Sequence, residues 1–152
     1  MKPAHTAQLN ALLLPLAGRT LLLPSAAVAE VIRYPGKPKA VDNAQDWLLG
    51  LIDWRGLALP LLSFEALAGS SLPPQSGPMA VLNLTDERAT VKFCALLLQG
   101  FPRPLQVDEQ LPRNDEPLSP LELCAVSLAN GKTGKIPNLP ALEQQLLAAG
   151  VL

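Results

Sequence analysis

Charged side chains are scarce in this chain and evenly split: 12 Lys and Arg stand against 13 Asp and Glu in 152 residues, with no run of one sign. A nucleic-acid groove or an anionic membrane surface is met by a basic stripe, so neither is an expected partner. Histidine is limited to His5, in a stretch that reads as a tail. Cys94 and Cys124 each lie in an apolar run and have no companions at metal-ligand spacing. Both are expected to be buried free thiols. There is no P-loop, no GxGxxG, no GxSxG and no paired His/Cys set. Asp86-Glu87 and Asp108-Glu109 fall in turn-like segments, where solvated carboxylates are expected. With no acid, base, nucleophile or metal site to nominate, the chain is expected to be neither an enzyme nor a cofactor carrier.

Long hydrophobic runs are missing as well. Met1-Lys2, an apolar stretch and Ala27-Val28-Ala29 loosely imitate a secretory leader with its cleavage site. Pro15, Gly18, Arg19 and Pro24 cut that stretch into two leucine triplets, Leu12-Leu13-Leu14 and Leu21-Leu22-Leu23. Neither triplet reaches the length of a leader core or the ~20 residues of a membrane span. A cytoplasmic protein without direct membrane insertion is expected.

Leucine is abundant, with 33 copies beside 20 Ala, against 8 Val and 3 Ile. That balance favours helix by propensity. Against it stand 16 Pro and 10 Gly, and a proline inside a helix costs about 3 kcal/mol or more. Hydrophobic residues at 49% and charged residues at 16% exclude disorder, and the length suits one domain with an adequate core.

The prolines and glycines limit most apolar segments to strand length. Residues 9–16 and 21–24 read as strands joined by a tight turn at Gly18. Residues 56–63 read as a strand in which Pro60 signals an edge or a bulge. Residues 79–84 and 90–98 form a hairpin across a polar connection. Residues 123–128 and 132–136 form another, joined through Asn130-Gly131, a pair that tolerates positive φ. Several of these strands are apolar at successive positions, as in strands buried on both faces. Short strands with turn signals between them indicate an all-β barrel or sandwich. Two segments read as helical: residues 42–49, capped by Asp42 or Asn43 and ended by Gly50, and residues 138–150, capped by Asn138 with Pro140 in its first turn. In the latter, Leu139, Leu142, Leu146 and Leu147 share one face, with Glu143 and Gln144 opposite, so it is expected to pack on a barrel. Residues 1–8 read as a flexible tail, and residues 69–78 and 102–120 as loops.

The most informative segment is Trp47-Leu48-Leu49-Gly50-Leu51-Ile52-Asp53-Trp54-Arg55-Gly56-Leu57-Ala58-Leu59-Pro60, which holds two of the six aromatic residues. Arg55 is open to two readings. It is either a turn residue stacked on a tryptophan or an interface anchor, since Arg and Trp are enriched where binding energy concentrates.

Together with Val28-Ala29-Glu30-Val31-Ile32, Pro35 and Pro38, this segment resembles the signature of the CheW family of chemotaxis coupling proteins over residues 12–64. Asn130-Gly131 through Ile136-Pro137-Asn138-Leu139 is similar to the closing strand and terminal helix of relatives from pilus-motility (Pil-Chp type) chemosensory systems. The resemblance implies an all-β fold with a few short helices: two intertwined five-stranded SH3-like β-barrels plus a C-terminal helix, in a single domain spanning residues 9–152. It also implies a non-enzymatic adaptor bridging a methyl-accepting chemoreceptor and a CheA-type histidine kinase, recruited to membrane-bound receptor arrays. Val28, Glu30, Gly50 and Arg55 match the family's interaction surface, although Val28 and Gly50 equally suit core and turn positions. Trp54 joins them as the wall of a partly apolar groove. Asp53-Trp54 replaces the family's usual Asn-Leu, Ser63 replaces an acidic residue, and residues 95–102 lack the usual V-D-x-V pattern. These departures point to an accessory array member or a non-flagellar pathway. The alternative is a small-ligand-binding or sensory β-barrel, or an assembly subunit unrelated to chemotaxis.

Overall fold

The computed structural model describes residues 8–33, 36–108 and 111–152. The chain runs through β1 (Gln8–Leu16), β2 (Arg19–Pro24), a 3-10 turn (Ser25–Ala27), β3 (Val28–Ile32), β4 (Leu48–Trp54), β5 (Leu57–Leu62) and α1 (Phe64–Leu67). It continues through β6 (Met79–Asn83), β7 (Phe93–Leu97), β8 (Arg103–Asp108), β9 (Arg113–Asn114), β10 (Glu122–Ser127), β11 (Thr133–Pro137) and α2 (Leu139–Ala148). The strands form two sheets, ordered β8-β1-β2-β11-β10-β9 and β3-β6-β7-β5-β4. These are the two small SH3-like barrels expected. The first draws its strands from both ends of the chain and the second from the middle, which is how they intertwine. The first has six strands because the two-residue β9 adds to β10.

Strands apolar at successive positions face two cores at once. On β6, Met79 and Val81 fill the second barrel, while Ala80 and Leu82 face a central cluster between the barrels. On β7, Ala95 and Leu97 alternate with Cys94 and Leu96 in the same way. In the first barrel Ala11 and Leu22 point inward, whereas Leu14, Leu21 and Leu23 point to the centre. Leucine thus serves three cores. This doubled burial stabilises short strands that propensity alone would not.

Helix α2 completes the central cluster with Leu142 and Leu146, both fully buried. It therefore packs between the barrels and not on the outside of one. Asn138 caps it by accepting the Ala141 N–H, and Pro140 occupies the first turn. Glu143, expected on the solvent side, is buried: its two oxygens accept the backbone N–H groups of Thr85 and Asp86 at 2.9 and 3.0 Å. The helix thereby fixes the start of the β6–β7 loop. In that loop Asp86 pairs with Arg88 at 2.8 Å, and the hydrogen bonds from Arg88 hold its carboxyl down to about 2.

Several local expectations give way to tertiary structure. Residues 42–49 form no helix. Two successive turns, with Ala44 N–H to Val41 O and Leu48 N–H to Gln45 O, deliver Trp47 and Leu48 to the central cluster, where β4 begins. Asn43 takes φ +58 there. Residues 102–120 are not merely a loop, since they contain β8 and β9. Helix α1 was not anticipated; Ser63 caps it through its hydroxyl, which accepts the Ala66 N–H. Pro60 lies in an internal strand, but the parallel pairing of β5 with β7 covers only Leu61 and Leu62, so Pro60 falls outside that ladder. The Asn130-Gly131 hairpin forms with a three-residue loop: Gly131 alone takes positive φ, +79, and its N–H bonds to Leu128 O. Of the tail, Gln8 opens β1, while residues 1–7, including His5, lie outside the described residues, as do Pro35 and Glu109.

A buried ion cluster ties the elements together. Glu122, at the start of β10 and with its side chain 1% exposed, meets Arg19 of β2 at 2.9 Å and Lys135 of β11 at 3.7 Å. It also accepts the Ser119 N–H. Arg19 reaches Ser70 Oγ beyond α1, while its Nε is buried without a partner among the described residues.

Both cysteines are free, but only Cys94 is fully buried; Cys124 is half-buried. Burial pushes the Cys94 thiol up to about 12 from 9.0, with the Glu143 charge as the second cause. In native protein at pH 8, a disulfide-exchange reagent is expected to modify Cys124 readily and Cys94 only as fast as the protein unfolds. Rapid modification of both thiols would contradict this burial. Between pH 9 and 12 the folded state keeps a proton that the unfolded chain loses, so stability falls as pH rises through that window.

Candidate functional site

Strands β4 and β5 are joined by two residues, Arg55 and Gly56, with Trp54 opposite Leu57. Both loop residues have positive φ, +50 and +78, the type I′ geometry whose twist suits a tight hairpin. Gly56 enters that region freely, whereas a side chain such as that of Arg55 costs about 1–2 kcal/mol there. Two contacts offset the cost. The Arg55 guanidinium lies 4.7 Å from the Trp54 ring centroid, and its terminal nitrogen donates to Glu30 Oε1 at 3.2 Å.

Glu30 reaches this hairpin from the opposite edge of the sheet. Strands β3 and β4 are the two edges of the second sheet, so contact between them closes the barrel. Its Oε1 also accepts the Trp54 indole N–H at 3.0 Å. A bulge in β3, with Val28 opposite Leu82 and Glu30 opposite Val81, inserts Ala29 and turns the strand just before Glu30. One carboxylate oxygen therefore spans the seam and holds the hairpin. The Glu30–Arg55 pair is exposed, with side chains 41% and 68% accessible, and an ion pair of this kind contributes only about 0–1 kcal/mol. Its effect is to orient Arg55.

The structure brings together Glu30, Trp54 and Arg55 but not Val28 or Gly50. Trp54 does not line a groove, because it is 7% exposed and its ring packs on Phe93 at a centroid distance of 4.8 Å within the core of the second barrel. Its polar edge serves the site and its ring serves the fold. Val28 is half-buried against the central cluster. Gly50 is buried on β4 with φ +141, and a Cβ there would come within 2.6 Å of Lys39 O. The segment that covers it bonds to Leu51 through Lys39 in both directions. Glycine at this position admits the backbone of its own chain. The accessible surface beside Arg55 consists of Asp53, Gly56, Leu57 and Ala58, and Leu57, not singled out from sequence, offers an exposed apolar side chain. The Trp54–Glu30 bond was also missed; a tryptophan in an apolar run needs an acceptor for its N–H, but the sequence does not say which.

Among the described residues, no group of three or more His, Cys, Asp or Glu could hold a metal ion. No described helix is long and apolar enough to cross a membrane. The arrangement is a two-residue turn that presents one oriented cation beside an exposed leucine.

A family model described as a CheW-like domain matches residues 10–144. The solved structure of the scaffolding protein TtCheW from Thermoanaerobacter tengcongensis superposes with a TM-score of 0.71 at 14% identity, covering 86% of this chain and 89% of that one. At that identity the likeness is one of fold. A search of curated proteins found no match.

Proposed function

Because the chain belongs to the CheW-like domain family, we propose that it is a non-enzymatic adaptor coupling a methyl-accepting chemoreceptor to a CheA-type histidine kinase. In this reading residues 9–152 act as one domain, placed in the cytoplasm at receptor arrays, and the turn at Arg55 is a partner contact. The observation that carries the site is the fixing of Arg55. An exposed arginine on a flexible loop would lose conformational freedom on docking, whereas this one is already oriented by Glu30 and Trp54, and preorganisation lowers the cost of binding. Glu30 is then a contact as well as a support, and Trp54 holds the turn from inside, while Val28 and Gly50, away from the turn, serve the strands β3 and β4 that support it. The replacement of Asn-Leu by Asp53-Trp54 brings the indole that Arg55 stacks on, which supports service in an accessory or pilus-motility array with its own partners.

Arg55→Glu tests the reading. Charge reversal would place two carboxylates together in the turn and oppose any acidic partner surface. Binding to the kinase regulatory domain or the receptor tip is expected to weaken at least about thirtyfold, with an unchanged circular dichroism spectrum. Wild-type affinity for both partners, measured by interferometry, would overturn the assignment.

A further inference from the structure

The two barrels finish differently at their ends. In the second, Trp54 and Phe93 pack with ring centroids 4.8 Å apart and fill the end beside the Arg55 turn. In the first, the inward positions of β1 run from Ala11 to Leu13 and Pro15, and those of β2 from Leu22 to Thr20, which pairs with Pro15. On β8 they run from Leu105 to Arg103, which pairs with Leu13. The row therefore ends in a hydroxyl and a cation where the second barrel has aromatic rings. A cavity of about 380 Å³ lies there, lined by Leu13, Pro15, Thr20 and Arg103 together with Phe101 and Lys132.

Arg103 and Lys132 are exposed, and no Asp or Glu among the described residues lines the cavity. Neither cation has an ion-pair partner among the described residues. Phe101 is 56% exposed, and the guanidinium of Arg33, equally without a carboxylate partner there, stands 4.8 Å from its ring centroid. Three cations thus gather about one exposed ring in a chain whose formal net charge is −1. The ring is seated on β1: the Gln99 N–H bonds to Pro15 O at 2.9 Å, and a Cβ on Gly100 would lie 3.3 Å from Pro15 Cγ. Half-buried Leu13 and Pro15 give the cavity an apolar floor beside its charged wall. Small-molecule sites of ~300–1,000 Å³ combine these two kinds of wall, and this one, at the small end, has room for a single ring.

We propose that this mouth of the first barrel binds a small aromatic anion, one ring bearing a phosphate group. The ring stacks on Phe101 over Leu13 and Pro15. The phosphate meets Arg103 and Lys132, whose donors suit its oxygens, and Arg33 adds a third positive charge behind the Phe101 ring. None of these residues belongs to the Arg55 turn, so the site stands or falls independently of the adaptor reading.

The experiment is an amide-resolved NMR titration of the full chain with phenyl phosphate, inorganic phosphate and benzyl alcohol. Phenyl phosphate is expected to shift the amides of Thr20, Phe101 and Lys132 saturably, and to bind about tenfold more tightly than either of the others. Phe101→Ala is expected to reduce its affinity to that of inorganic phosphate. The double variant Arg103→Ala/Lys132→Ala is expected to reduce it to that of benzyl alcohol. All three side chains are exposed, and a thermal melt verifies the fold of both variants. Equal binding of phenyl phosphate and inorganic phosphate, equal binding of phenyl phosphate and benzyl alcohol, unchanged affinity in either variant, or no saturable shift at these amides would overturn the proposal.

Discussion

Glu122→Ala is expected to destabilise the protein by about 3–5 kcal/mol, because removing one member of a buried ion group strands the charges it served. The side chain is 1% exposed and faces two cations, and Arg19 is itself only 11% exposed. After the substitution the Arg19 guanidinium would retain Ser70 Oγ as its oxygen partner, with its Nε already unpartnered among the described residues. At roughly 2–4 °C per kcal/mol for a domain of this size, the midpoint should fall by about 10 °C in a thermal melt. Glu122→Gln keeps the shape and the acceptor oxygen and should lose clearly less. Replacing the pair together, Arg19→Met with Glu122→Leu, should cost less than Glu122→Ala alone, since the desolvation of both charges is then removed as well. A loss below about 1 kcal/mol for Glu122→Ala would mean that Arg19 and Lys135 reach water at no cost, contrary to their burial.

Gly50→Ala carries the second large effect, about 3–4 kcal/mol, from two causes that can be separated. A residue other than glycine is strained at φ +141, and the added Cβ would lie 2.6 Å from a backbone oxygen and 2.8 Å from Pro38 Cβ. The strain accounts for about 1–3 kcal/mol and the overpacking for a similar amount. Gly18→Ala is the control: φ is +75, and nothing lies within 4 Å of the new atom. It should lose only the conformational part, about 1–2 kcal/mol. Equal losses in urea melts of the two variants would show that the segment over Gly50 yields readily and that close approach is not the reason for glycine.

The hairpins were legible because their causes are local. Gly18 and Gly131 each take the positive φ that a tight turn needs, and the prolines exclude long helices; the β4–β5 hairpin at Gly56 was not read, because residues 48–54 were not read as a strand. The doubled apolar pattern of β6 and β7 correctly announced strands buried on two faces. Residues 42–49 misled because Asp42, Asn43 and Gly50 satisfy local rules for helix caps, whereas Trp47 and Leu48 are drawn into a core assembled from distant strands. Strand β8 was overlooked because it lies at a sheet edge and buries only Leu105 and Val107 in part, so its alternation is faint. At the site, Arg55 stood out by its neighbours and the family resemblance paired it with Glu30. The bond from Trp54 to Glu30 spans 24 residues and depends on the sheet curling until its edges meet, which no local pattern encodes. The burial of Glu143 is a similar case: helical phase placed it outward, but the loop carrying Thr85 and Asp86 lies over it.

The pairing of β1 with β8 and of β2 with β11 also sets an order of assembly. The second barrel takes all its strands from residues 28–97 and can close its ladder as soon as that length of chain has left the ribosome. The β1–β2 hairpin precedes that barrel in the chain but finds its last neighbour only when residue 135, opposite Leu21, arrives. Until then Leu14, Leu21 and Leu23 have no completed core to enter. Contacts of such long sequence separation close slowly, so the β1–β2 segment, made before the second barrel, is secured after it, and its leucine triplets are exposed to aggregation in the interval.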